Sequence, residues 1–236
     1  MPSSLTVIVP AYNEEINLAG AVETVQGATA NRVTSLQVII VDDGSTDSTG
    51  AIADEIALHD VRIKVVHNGI NKGLGYSYRR GLEIASEDYV IMIPGDNENS
   101  TVSISPIVDQ LGEADIIVPY VLNPEVRPMT RRLLSKAFVA TINILCGLSL
   151  QYFNGTCAIR RNAIQAINLD THGFAYMAAT LVRLLKLGYT YQEVGIELDK
   201  PKGGSSKAFM PRNIAQVLRT VFALFWEVRV TRTRQI

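Results

Sequence analysis

Charge is scarce in this chain. Asp, Glu, Lys and Arg make up 19 % of its 236 residues, where soluble domains carry roughly 25 %. The signs nearly cancel, since 22 basic and 23 acidic residues leave a net charge of −1. That balance excludes a protein that grips nucleic acid by bulk positive charge. Cysteine is almost missing too. Cys146 and Cys157 are too few for a disulfide scaffold or a thiolate zinc site, and small buried apolar roles are expected for both. The N-terminus has no basic stretch followed by an apolar core and a cleavage site, so it does not read as a secretory signal. A reducing, cytoplasmic setting is expected. An unbroken apolar run of about 20 residues, the length of a membrane span, is also lacking. The closest approach is 137–159, which carries no charge but is interrupted by Asn143, Gly147, Gln151, Asn154 and Gly155.

The apolar residues, 47 % of the chain, fall instead into short runs between helical patterns. Leu5 to Pro10 reads as a strand buried on both faces. Further strands are predicted at Leu36–Val41, Val61–Val66, Tyr89–Ile93 and Asp115–Val118. Asn13 is the expected cap of the first helix, with Glu14 and Glu15 in its first turn. Other helices are predicted over 48–58, 71–85, 127–148, 174–187 and 213–228. A strand is predicted at Tyr189–Ile196 and a Gly/Ser/Lys-rich loop over 200–207. Strands separated by single helices imply a mostly parallel sheet with helices on both faces, an α/β fold. Such sheets bind ligands beyond the carboxyl ends of their strands.

The polar residues collect at those ends. Pro10-Ala-Tyr-Asn-Glu14 follows the first strand, Asp42-Asp-Gly-Ser-Thr-Asp47 the second, Asn71-Lys-Gly73 the third and Pro94-Gly-Asp-Asn-Glu98 the fourth. Asp96 and Glu98 are hard oxygen donors two residues apart, suited to Mg²⁺ or Mn²⁺ shared with a diphosphate. The plain alternative is a turn at Gly95-Asp96-Asn97. At Asp42-Asp43-Gly44-Ser45, one carboxylate is suited to accept hydrogen bonds from a nucleobase or ribose, with Tyr12 packing on the base. The alternative there is a turn and a helix cap. No dinucleotide fingerprint of the G-x-G-x-x-G type is present, which disfavours a dehydrogenase.

Taken together, PAYNEE, VDDGSTDST, NKGLGYSYRRG and the acidic turn resemble the family 2 inverting glycosyltransferases, over roughly 4–111. Within that group the chain is most similar to the dolichyl- and polyprenyl-phosphate sugar synthases. The later segments that carry this are Arg131-Arg-Leu-Leu-Ser-Lys136, Asn154-Gly155 with Cys157-Ala-Ile-Arg-Arg161, and Gly204-Ser-Ser-Lys207. The resemblance implies a GT-A fold, with one catalytic domain over 1–228 and a basic tail over 229–236. Its nucleotide-sugar half would be 1–111 and its acceptor half 112–228. It also implies inverting transfer of a sugar from a GDP- or UDP-sugar to a polyprenyl phosphate. Pro10, Tyr12, Glu14, Asp42, Asp43 and Lys72 would contact the nucleotide-sugar. Asp96 and Glu98 would hold Mg²⁺ or Mn²⁺, with Asp96 and Arg131 in catalysis. Arg131, Ser135 and Lys207 would meet the acceptor phosphate. The acidic turn departs from the family pattern: Pro94 stands at the first Asp position and Glu98 at that of a Gln. Transfer to a saccharide hydroxyl, or a weakly active nucleotide-sugar-binding domain, are the alternatives.

Two segments suit a membrane surface as well as a core. One is 137–159. The other is 213–228, with an apolar stripe of Ile214, Val217, Leu218, Val221, Phe222, Phe225 and Val228 and arginines at 212, 219, 229, 232 and 234. The expectation is a protein peripheral to the cytoplasmic face of a membrane, alone or on a membrane-protein partner. His172, in a loop, stands where the resemblance implies a late metal ligand; a merely exposed histidine is the alternative.

Overall fold

The computed structural model describes residues 3–167 and 176–199, together with Phe222, Leu224 and Trp226. The sheet strands are β1 (Leu5–Ala11), β2 (Leu36–Asp42), β3 (Ile63–His67), β4 (Tyr89–Met92), β5 (Ile116–Val121), β6 (Ala158–Arg160) and β7 (Tyr191–Ile196). The helices are α1 (Leu18–Thr29), α2 (Thr49–His59), α3 (Leu74–Ile84), α4 (Thr101–Asp109), α5 (Met129–Cys146), α6 (Arg161–Gln165) and α7 (Tyr176–Lys186). The seven strands lie in the order β3-β2-β1-β4-β6-β5-β7. All neighbours are parallel except β6, which is antiparallel to both β4 and β5. Because β6 reverses direction twice over, β4 and β5 point the same way. The carboxyl ends of β1, β2, β3, β4 and β5 therefore share one edge.

The strands are apolar on both sides because both sides are covered. Alternate residues of β1 enter different cores. Val7 and Val9 pack with α1, α2 and α4 through Val22, Ala53 and Ile104, while Ile8 packs with α3, α5 and α7 through Tyr78, Ile142 and Leu181. Every residue of β1, β2 and β4 is buried. At about 1.5–3 kcal/mol for each fully buried Val, Ile or Leu, this central layer dominates the stability of the domain. Cys146 and Cys157 are both buried and form no disulfide with each other, as expected of small core residues. Leu224 joins the core of α5 and α7 and is helical, as are Phe222 and Trp226.

Several local expectations are corrected. Asn13 does not cap a helix: it sits at φ 56°, and α1 begins only at Leu18 after a turn closed by the Glu14 carbonyl. Glu14 and Glu15 are therefore outside its first turn. β3 starts two residues later than predicted and runs through His67, because Val61 is almost fully exposed and Ile63 is the first inward residue. α4 is missing from the sequence reading. Its serines and Pro106 disguise it, yet Ile104, Ile107 and Val108 bury one face, and Ser103 Oγ accepts the Ser100 N–H at 3.1 Å. The predicted helix over 127–148 is shorter. A single 3-10 turn at Pro124–Val126 precedes it, Pro128 stands before its first turn, and Gly147 ends it in the left-handed region. The predicted loop over 200–207, most of the helix over 213–228, His172 and the basic tail lie outside the described residues. No helix among the described residues is long and apolar enough to cross a membrane.

Candidate active site

The strand-end turns are stitched to one another before any ligand arrives. Ala11 O accepts the Asp43 N–H at 2.8 Å, joining the ends of β1 and β2. Asn13 Oδ1 accepts the Thr46 N–H at 2.9 Å, and Ser45 Oγ accepts the Asn13 N–H at 3.0 Å. Thr49 Oγ1 takes the Glu14 N–H at 2.7 Å, and Glu15 Oε2 takes the Ser48 N–H at 3.0 Å. The left-handed conformation at Asn13, which asparagine tolerates better than most residues, sets up this exchange. Tyr12, between these bonds, stays 44 % exposed. Gly44 turns the chain at φ 71°, and a Cβ there would lie 2.6 Å from the Ile70 carbonyl carbon, so the second and third turns touch through a glycine.

The two aspartates of the second turn have different tasks. Asp43 faces inward. Its Oδ1 accepts from Asn68 Nδ2 at 2.8 Å and Lys72 N at 3.0 Å, and its Oδ2 accepts from Gly73 N at 2.7 Å. It holds the third turn rather than presenting a free carboxylate. Asp42 Oδ1 accepts the Ser45 N–H at 3.0 Å, and its Oδ2 meets His67 Nδ1 at 3.0 Å. Burial opposes its ionisation, but the His67 and Ser45 hydrogen bonds prevail and hold the carboxyl below its ordinary range. Lys72 Nζ leans over the Tyr76 ring, 4.4 Å from its centre and 3.2 Å from its hydroxyl.

The fourth turn is anchored to the first. Pro10 O accepts the Gly95 N–H at 2.9 Å. Asp96 Oδ1 accepts the Glu98 N–H at 3.1 Å across Asn97, which sits at φ 53°. So Gly95-Asp96-Asn97 is indeed a turn, and it carries both Asp96 and Glu98 at the end of β4. Among the described residues no group of three or more His, Cys, Asp or Glu side chains is clustered for a metal. Two carboxylates nonetheless fit an ion of the Mg²⁺ kind, which is held by one or two carboxylates while substrate phosphates and water complete its shell. Asp96 and Glu98 are the residues that would hold it.

α5 leaves the same edge after β5. Arg131 and Ser135 lie in its first two turns, half-buried. The Arg131 side chain makes no hydrogen bond or ion pair among the described residues. Lys207 lies outside the described residues. The turns thus bring together Pro10, Tyr12, Glu14, Asp42, Asp43, Lys72, Asp96 and Glu98, while Arg131 and Ser135 stand on a separate element at the same edge. His67, Asp54 and Asn68 were missed in the sequence. The available signal was register: His67 is the β3 partner of Asp42.

A mostly parallel open sheet with acidic turns gathered at the carboxyl edge defines the GT-A class of nucleotide-diphospho-sugar domains. The chain belongs to glycosyl transferase family 2, whose family model matches residues 6–167, and it is a glycosyltransferase. It is 31 % identical over 214 residues to polyprenol monophosphomannose synthase of Mycolicibacterium smegmatis, covering 85 % of this chain and 79 % of that one. It is 27 % identical over 234 residues to undecaprenyl-phosphate mannosyltransferase of Micrococcus luteus, covering 93 % and 95 %. Among solved structures it is similar in fold to glucosyl-3-phosphoglycerate synthase from Mycobacterium tuberculosis, at TM-score 0.72 and 19 % identity, covering 94 % and 80 %. That enzyme was crystallised with Mn²⁺, UDP-glucose and phosphoglyceric acid.

Proposed function

We propose that this glycosyltransferase moves a sugar from a nucleotide-diphospho-sugar to a polyprenyl phosphate at a membrane surface, with inversion. The observation that carries the acceptor is α5. Its first turns hold Arg131 and Arg132, and its outer side exposes Met129 (81 %), Leu133 (69 %) and Ile144 (74 %). A basic opening beside an exposed apolar stripe suits a phosphate attached to a hydrocarbon chain. The exposed Phe222 and Trp226, whose rings stack at 6.5 Å, add apolar surface. Both mannosyl-transferring relatives are named for polyprenyl-phosphate products or acceptors, and the likeness extends over most of each chain.

The donor is read as lying across the four turns. Tyr12 packs on the base, the Asp42 turn receives the nucleoside, and Asp96 and Glu98 face the diphosphate. A divalent cation, when bound at Asp96 and Glu98, would neutralise charge on the diphosphate leaving group. Asp43 fixes the third turn so that the Lys72 and Gly73 amides hold their places. Arg131 and Ser135 orient the acceptor phosphate. That phosphate is anionic at neutral pH, so no strong protein base is needed; positioning and charge stabilisation do the work. One phosphate oxygen forms the new bond to the sugar C1. The bond from C1 to the diphosphate oxygen breaks, and the nucleoside diphosphate leaves with its electron pair. Attack from the face opposite the leaving group inverts the anomeric centre.

The test is to incubate the protein with Mg²⁺ or Mn²⁺, a panel of nucleotide-sugars and a short polyprenyl phosphate, and to read products by mass. The expected result is a lipid-phosphate-linked sugar with one donor. Glycosylation of a saccharide acceptor with no lipid product would reassign the acceptor. Nucleotide binding with no product from any acceptor would leave a binding domain.

A further inference from the structure

His67 closes β3 beside Asp42, its register partner on β2. Its Nδ1 lies 3.0 Å from Asp42 Oδ2, and its Nε2 lies 3.1 Å from Asp54 Oδ1 on α2. Ionised carboxylates only accept hydrogen bonds. The ring therefore satisfies both contacts only as the cation, with hydrogen on both nitrogens. A neutral ring has one N–H and turns a lone pair toward the other carboxylate. Gly50 lets α2 close over the pair: a Cβ there would come to 3.0 Å from Asp42 Oδ2 and 3.5 Å from the ring. The Asp42 side chain is 9 % exposed, so its orientation is set by these neighbours, while the His67 ring, 45 % exposed, stays in reach of solvent protons.

We infer that His67 is a positioning residue for donor binding: as a cation clamped between Asp42 and Asp54, it fixes the Asp42 carboxylate for the nucleoside and offsets its charge beside an anionic diphosphate. This rests on the reading that the Asp42 turn receives the nucleoside. The hydrogen bond to Asp42, then that to Asp54 and both negative charges, hold the imidazole above the ordinary histidine range against partial burial. β2 and α2 pack against β3, and Asp42 and Asp54 are the charged groups they turn on the ring among the described residues. With a raised pKa, the clamp is complete below the ordinary value and is lost as pH rises through the raised one. Nucleotide affinity falls over that interval.

The experiment is calorimetric titration of guanosine and uridine diphosphate, with Mg²⁺, from about pH 5.5 to about pH 8.5, across the histidine range. It compares the wild type, His67→Gln and Asp54→Asn. The wild type is expected to lose affinity toward high pH. His67→Gln is expected to bind about tenfold more weakly at the acid end, as for a lost charged hydrogen bond, and to show a flat profile. Asp54→Asn removes one carboxylate, so the inflection moves to lower pH. A structural role alone would lower thermal stability without moving an inflection. Wild-type affinity and slope in His67→Gln would overturn the inference and leave the proposed function standing. Absence of nucleotide binding by the wild type at every pH would overturn both.

Discussion

The turns after β1 to β4 spend their polar groups on one another, whereas α5 leaves large apolar side chains uncovered. Asp43 alone accepts three hydrogen bonds from the third turn, and Asn13, Ser45, Thr49 and Glu15 cross-link the first two. On α5, Arg131 has no partner among the described residues, and Met129, Leu133 and Ile144 are exposed. One region is complete as a piece of protein. The other, in the function proposed, is completed by the acceptor. Preorganised groups cost no rearrangement when charge develops on a leaving diphosphate, so rigidity belongs at the donor edge. A lipid acceptor arrives from a different solvent, so an uncovered apolar face suits the acceptor role proposed for α5.

Substitutions can break this contrast. The largest expected effect is on chemistry: Asp96→Asn should lower turnover by about 10²–10³-fold, as for loss of one group that stabilises developing charge, while nucleoside diphosphate still binds. Activity near that of the wild type would remove Asp96 from the reaction. Next comes stability. Asp43→Ala strands the Lys72 and Gly73 amides and takes one of two acceptors from Asn68 Nδ2, which keeps Ser77 Oγ at 3.2 Å, and should cost about 2–4 kcal/mol in urea denaturation. A silent Asp43→Ala would mean that the donor turns are not held by the bonds described. The smallest expected change is the sharpest contrast. Arg131→Ala, at a half-buried side chain with no hydrogen-bond or ion-pair partner among the described residues, should alter folding stability by less than about 1 kcal/mol, yet raise the KM for the acceptor.

How much of this was legible follows the same division. β1 and β2 could be read because parallel strands covered on both faces are continuous apolar runs, and their turns because Asp, Asn, Gly and Ser at strand ends are local signals. β6 is absent from the strands predicted above, since its antiparallel place between β4 and β5 is a property of the whole sheet. α4 hid behind Ser103, Ser105 and Pro106, because its helical propensity is poor and tertiary burial of Ile104 and Ile107 supplies the difference. At the site, the carboxylates were visible but not their division of labour. Whether Asp42 or Asp43 faces inward depends on Asn68, Lys72 and Gly73, some 30 residues away in the chain. His67 was unreadable for the same reason: only β2–β3 register puts it against Asp42.

The charge poverty of the chain is thus shared between a doubly covered sheet and a helix that keeps apolar residues outside. That second part is tested most directly with Leu133→Glu, at an exposed position of α5. Transfer should be measured onto polyprenyl phosphate in anionic vesicles and onto a short, water-soluble polyprenyl phosphate. The expected result is loss of transfer on vesicles with rates on the soluble acceptor kept. Equal rates for the variant and the wild type on both acceptors would contradict a membrane-facing α5.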